Sequence, residues 1–94
     1  MNPFFERYLR VLSEEAEASG HPLTDPDAVV LEGELSRALL DLTRAVAHTQ
    51  ERRFGPLVAY LTGAALAPGG LDDASSAALV DRVVSRLEAE ARPE

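Results

Sequence analysis

Five side chains that carry charge or can exchange a proton recur at helical spacing along one short stretch. They are Arg37, Asp41, Arg44, His48 and Arg52, separated by four, three, four and four residues. On one continuous helix they line a single stripe. Arg53 follows directly, so residues 34–53 carry four basic and three acidic side chains in a chain whose formal charge is −7. A positive strip on an acidic body can orient and hold an anion or an acidic partner. Arg44, His48, Arg52 and Arg53 are therefore the candidate binding residues. The alternative is a solvated helix face, with Asp41 paired to Arg37 or Arg44, and with Arg52 and Arg53 complementing the dipole at the helix carboxyl end.

Catalysis finds little footing. Asp41 and His48 lie seven residues apart, too far for a tight acid–base dyad. There is no glycine-rich phosphate loop, no His-x-x-x-His or His-Glu-x-x-His pair and no nucleophile elbow. His21 stands alone in a loop and reads as solvated. Glu14, Glu15 and Glu17 sit on a helix surface with no apolar pocket to tune an acid. Ser75 and Ser76 fall where a helix begins and read as capping. The expectation is no enzyme, no catalytic residue, no metal and no cofactor.

Composition narrows the class. The chain has 94 residues, no cysteine and no lysine. One helical domain over residues 1–94 is expected. Its small core would gain from a protein partner or from self-association. The absence of cysteine rules out a disulfide framework and fits a cytoplasmic protein. The acidic balance argues against nucleic acid. Charges at Glu6, Arg7, Arg10, Glu14, Glu15 and Glu17 exclude an apolar leader core. The uncharged run Phe54–Leu71 contains Pro56, Pro68, Gly69 and Gly70, which leave about 12 helical residues where a bilayer needs about 20. No membrane span is expected, and the run reads as a core helix.

Four helices must position the stripe. The first is predicted from Pro3 to Ser19, with Asn2 as N-cap, Gly20 as stop and an apolar stripe of Phe5, Tyr8, Leu9, Leu12 and Ala16 that anchors the core. The second is predicted from Pro26 or Ala28 to Gln50, with Asp25 as a cap, a possible bend at Gly33 and an inner face of Leu31, Leu35, Leu39, Leu42 and Val46. Leu40 falls off that face, towards a further helix or a partner. Glu51–Pro56 is a basic break. The third helix is predicted from Pro56 to Ala67, with Leu57, Tyr60, Leu61 and Ala64 on an apolar arc and small residues at Ala59, Gly63 and Ala67 that let another helix approach. The fourth is predicted from Asp73 to Ala91, capped by Asp72 or Asp73. It buries Ala77, Val80, Val84, Leu87 and Ala91, while Asp81, Arg82, Arg86, Glu88 and Glu90 face water. Arg92–Glu94 is expected to fray. No segment alternates with strand period. The fold class is all-α, a compact four-helix bundle.

The segment Leu39–His48, with Arg44 and then Val46-Ala47-His48, resembles a small bacterial helical family of uncharacterised domains. These occur alone or appended to molybdenum cofactor guanylyltransferase-like proteins. The resemblance continues through Arg52 or Arg53, Pro56, the apolar helix Leu57–Leu66 and the turn Gly69-Gly70. It covers residues 39–70, about a third of the chain. It implies an accessory domain near a nucleotide- or cofactor-handling protein and carries over no catalytic residue.

Taken together, the residues and the resemblance lead to a non-enzymatic interaction module, linked to molybdenum cofactor maturation by that resemblance. A structural or regulatory homodimer is the second reading. A domain binding a small anionic ligand or a nucleotide through Arg44, His48, Arg52 and Arg53 is the third.

Overall fold

The computed structural model describes residues 1–91; the expected fraying of Arg92–Glu94 lies outside the described residues. The fold is all-α. Among the described residues, four α-helices, α1 (Pro3–Ala18), α2 (Gly33–Thr49), α3 (Phe54–Leu66) and α4 (Asp73–Ala91), are joined by one long link and two short ones, with 3-10 turns at Pro26–Ala28 and Ala67–Gly69. No strand occurs among the described residues. The described residues divide into two compact units, one of residues 1–32 and one that begins at Gly33.

In the first unit, the Asn2 side chain accepts from the Phe4 amide at 2.7 Å, and Pro3 occupies a position whose N–H has no use. Gly20 ends α1 with φ +83°. Its amide donates to the Glu17 carbonyl, and the His21 amide reaches back to that of Ala16 at 2.9 Å, a doubly closed helix end. The expectation that α1 anchors the core fails. No α1 residue is buried, and Phe5 and Leu12 remain 37% and 40% exposed. Within this unit the helix has only the short Pro26–Ala28 turn to pack on, which is too small to cover an apolar stripe.

The second helix starts at Gly33, later than the spacing of leucines suggests. Asp25 adopts a left-handed conformation without capping by its side chain, and the Pro26–Ala28 turn gives way to extended backbone at Val29. The β-branched pair Val29-Val30 resists a helix nucleus, and Leu31 leaves the predicted inner face.

The second unit is a three-helix arrangement in which α2 packs on both α3 and α4. Ala38, Leu42, Val46, Ala77 and Val80 form its buried centre. Leu35, Leu39, Phe54, Val58, Leu66, Val84 and Leu87 close around them. Alanines at Ala38, Ala45 and Ala77 are buried where longer side chains would hold the helices apart. Leu42, Val46 and Val80 take the places that their periodicity assigns. Leu57 and Leu61 do not: they are 60% and 63% exposed, because α3 turns Phe54 and Val58 inwards instead.

The α3 helix also begins two residues before Pro56. A proline in the first helical turn costs no hydrogen bond, so Gly55-Pro56 is absorbed rather than acting as a break. Gly55 is buried, and a Cβ there would lie 3.4 Å from both the Cβ and the carbonyl oxygen of Thr43. The close approach predicted around Gly63 therefore occurs at Gly55; around Gly63 a Cβ would meet nothing within 4 Å.

Candidate functional site

The α2 and α4 helices run in the same direction, and three contacts show their register. At the start, the Asp73 carboxylate accepts from the Leu35 amide at 3.2 Å, filling one of the unpaired donors at the head of α2. Two residues further along α2 and eight further along α4, Arg37 makes a two-pronged bond to Asp81, with Nη1 donating to Oδ1 at 3.1 Å and Nη2 to Oδ2 at 2.9 Å. Further along, Asp41, Arg44, Ala45 and His48 of α2 face Val84 and Glu88 of α4 across an open groove of about 530 Å³.

Within the predicted stripe, Arg37 also donates to Asp41 at 2.9 Å, and Arg44 approaches the other oxygen of Asp41 at 3.4 Å. Hydrogen bonding to Asp81 and its negative charge, supported by Asp41, hold the Arg37 guanidinium above its ordinary pKa. The same bond holds the Asp81 carboxyl below its ordinary 3.8. Arg37, Asp41 and Asp81 are thus committed to joining the two helices. Asp81, expected to face only water, is part of that join.

Arg44 and His48 both stand on the groove wall and are exposed. Among the described residues nothing hydrogen-bonds the His48 ring. Arg52 does not continue the stripe, since α2 ends at Thr49 and Arg52 lies in the turn beyond it, exposed. Arg53 is drawn elsewhere: its Nε donates to Glu51 at 2.6 Å and its guanidinium lies 5.6 Å from the centre of the Phe54 ring. Arg53 also occupies the N-cap position of α3, where a positive charge opposes the helix dipole; Glu51 offsets that cost. The four candidate residues therefore separate into a groove pair, Arg44 and His48, and a turn pair, Arg52 and Arg53.

The groove mixes signs. Arg44 and His48 are matched by Asp41 and Glu88 over a floor that includes Ala45 and Val84. A bare anion entering it meets two carboxylates, so the arrangement suits a segment carrying both charges better than a phosphate. The sequence pattern puts Glu88 on the wet side of α4 and Val84 on its inner side. Their spacing with Asp81, three and four residues, marks a second stripe that faces the first. Among the described residues, no three His, Asp or Glu side chains gather to hold a metal ion.

An uncovered apolar surface lies elsewhere in this unit. Phe54, Val58 and Leu66 of α3 pack inwards, while Leu57, Tyr60 and Leu61 point away, Tyr60 being 74% exposed. The expected core helix is buried on one side only. Leu40, 64% exposed, sits one turn before Thr43, the residue against which Gly55 rests.

Residues 5–94 match a domain of unknown function, DUF6457. The chain belongs to the DUF6457 family. The match extends well beyond the segment 39–70 that carries the resemblance described above, and takes in α1 to α4. It brings no link to molybdenum cofactor guanylyltransferase-like proteins. No curated protein and no solved structure matches the chain. Among the described residues of this DUF6457 chain, no helix is long and apolar enough to cross a membrane.

Proposed function

We propose that this DUF6457 chain is a non-enzymatic helical accessory module that works by binding a protein. The observation that carries the reading is the outer face of α3. A helix apolar around its whole circumference is normally buried on every side. Here one side is covered and Leu57, Tyr60 and Leu61 are not. Exposed apolar patches of this kind are characteristic of protein–protein contact.

The narrower reading places that contact in molybdenum cofactor maturation in the bacterial cytoplasm. Its support is the resemblance of Leu39–His48 and the following turn to domains appended to guanylyltransferase-like proteins. Titration calorimetry of the full chain against such a protein tests it. Binding that is lost in a Leu57→Ser, Leu61→Ser variant is the expected result. Absence of binding by the wild type removes the molybdenum assignment.

A second reading, a small anionic ligand or a nucleotide, rests on Arg44 and His48, which stand exposed on the groove wall. A nucleotide panel read by thermal shift checks it. A bound ligand at ten times its Kd raises stability by about 1.4 kcal/mol, and no shift across the panel ends that reading.

A further inference from the structure

We infer that the outer face of α3 is closed by a second copy of this chain, packed antiparallel across a two-fold axis near Tyr60 and Leu61. The inference rests on the proposal that this face binds protein, and names the protein.

Three features favour a copy of the same chain. The first is charge. Residues 54–71 contain no charged side chain, although the chain carries a formal charge of −7. Two such chains repel over most of their surfaces, and this face lets them meet without confronting like charges. Antiparallel pairing also sets the dipoles of the two α3 helices against each other favourably.

The second feature is shape. Tyr60 stands at the middle of the 13-residue helix. With the axis between Tyr60 and Leu61, each copy's Tyr60 meets the partner's Leu61, and each Leu57 meets the partner's Ala64. A large side chain thus opposes a small one at both ends of the contact. A two-fold contact of this kind is self-complementary and closes on itself, so it gives a pair rather than a chain of molecules.

The third feature is area. Leu57, Tyr60 and Leu61 on α3, and Leu40 on the neighbouring α2, are each at least 60% exposed. Side chains of this size offer on the order of 450 Å² per copy, so a pair buries about 900 Å² before Ala64 and the helix backbone are counted. The total then reaches the roughly 1,000 Å² at which specific association begins. The chain gains in this way the buried surface that its small core lacks.

The experiment uses the full chain in sedimentation equilibrium from about 10 to 500 μM, a range that spans dissociation constants typical of modest interfaces. The wild type is expected to rise from its monomer mass of 10.1 kDa towards twice that value. Tyr60→Glu is expected to stay monomeric with an unchanged circular dichroism spectrum. Tyr8→Glu, on α1, is expected to dimerise like the wild type. The absence of cysteine allows a direct geometric check: Leu61→Cys should oxidise to a disulfide-linked pair, and Ser85→Cys on the exposed side of α4 should not. A wild type that remains monomeric throughout overturns the pairing. A dimer abolished by Tyr8→Glu and kept by Tyr60→Glu overturns it as well. In either case, loss of hetero-partner binding in the Leu57→Ser, Leu61→Ser variant would still uphold protein binding by this face, and retention of that binding would remove the face from both readings.

Discussion

Arg37 on α2 and Asp81 on α4 meet through two parallel hydrogen bonds of 3.1 and 2.9 Å, across a sequence separation of 44 residues. This pair, with Asp41 beside it, sets the register of two helices that run in the same direction. Parallel neighbours cannot be joined by a short turn, and α3 is the return segment that makes the arrangement possible. The basic stripe is therefore partly structural: its first half holds the fold, and only from Arg44 onwards does it face an open groove.

The pair should confer acid sensitivity. Bonding to Arg37 lowers the Asp81 pKa in the folded chain below 3.8. Asp72 is lowered in the same direction by the hydroxyl and amide of Ser75. A carboxyl whose folded value lies below its unfolded value contributes stability that is fully present above the unfolded value and lost as pH falls through the folded one. Melting temperature should hold from about pH 7 to 5 and fall increasingly below about pH 4, where the unfolded carboxyls bind protons first. Asp81→Asn should melt lower than wild type near neutrality and show a shallower acid decline. Parallel curves for the two proteins would deny Asp81 this role.

Burial separates two leucines that look alike in the sequence. Leu42 is 1% exposed inside the α2–α4 contact, and Leu61 is 63% exposed on α3. Leu42→Ala should cost about 2–5 kcal/mol in urea denaturation, from lost transfer energy and the cavity left behind. Leu61→Ala, measured at low concentration where no pair forms, should change stability by no more than about 0.5 kcal/mol. Equal losses at the two sites would mean that the outer face of α3 is covered within the monomer.

Two glycines should respond in opposite directions. Gly63 lies within α3, where an added Cβ meets nothing within 4 Å. Gly63→Ala should stabilise the monomer by about 0.5–1 kcal/mol through helix propensity alone. Gly70 has φ +63° as the chain leaves the 3-10 turn for α4. Gly70→Ala should destabilise by about 1 kcal/mol, because an L side chain is strained there. Chemical denaturation of both variants reads the two signs directly.

The helix ends most legible in the sequence are those written in local chemistry. Asn2, Pro3 and Gly20 bound α1, and Asp72 binds the Ser75 amide at 2.7 Å at the head of α4, much as their types dictate. The start of α2 was less legible, because leucine spacing continues upstream of Gly33 while the backbone does not. The outer face of α3 was illegible for a related reason: a helix apolar all round carries no periodic mark of which side is covered. Asp81 illustrates a third limit. Its spacing placed it on the polar side of α4, but nothing local specifies a partner 44 residues away on α2. For the candidate site, the Arg44 and His48 positions followed from periodicity. Arg52 left the stripe once α2 ended at Thr49, and Glu88 entered the groove only through tertiary packing.

The remaining question about the stripe is whether Arg44 and Arg52 serve recognition or the fold. Arg44 keeps 69% of its side chain exposed and reaches Asp41 only at 3.4 Å, a geometry that contributes little to stability. Arg52 is exposed in the turn after α2. Replacing both in one variant, Arg44→Ala with Arg52→Ala, should move the melting temperature by no more than about 2 °C. Arg37→Ala is the contrasting control, because it breaks the α2–α4 pair and should lower the melting temperature visibly. If the two distal arginines orient an acidic partner, the double variant should bind that partner more weakly. Its affinity should also depend less on salt than that of the wild type, since screening then has less attraction to remove. Partner affinity and salt slope that match the wild type would assign Arg44 and Arg52 to a solvated face. A melting loss as large as that of Arg37→Ala would assign them to the fold.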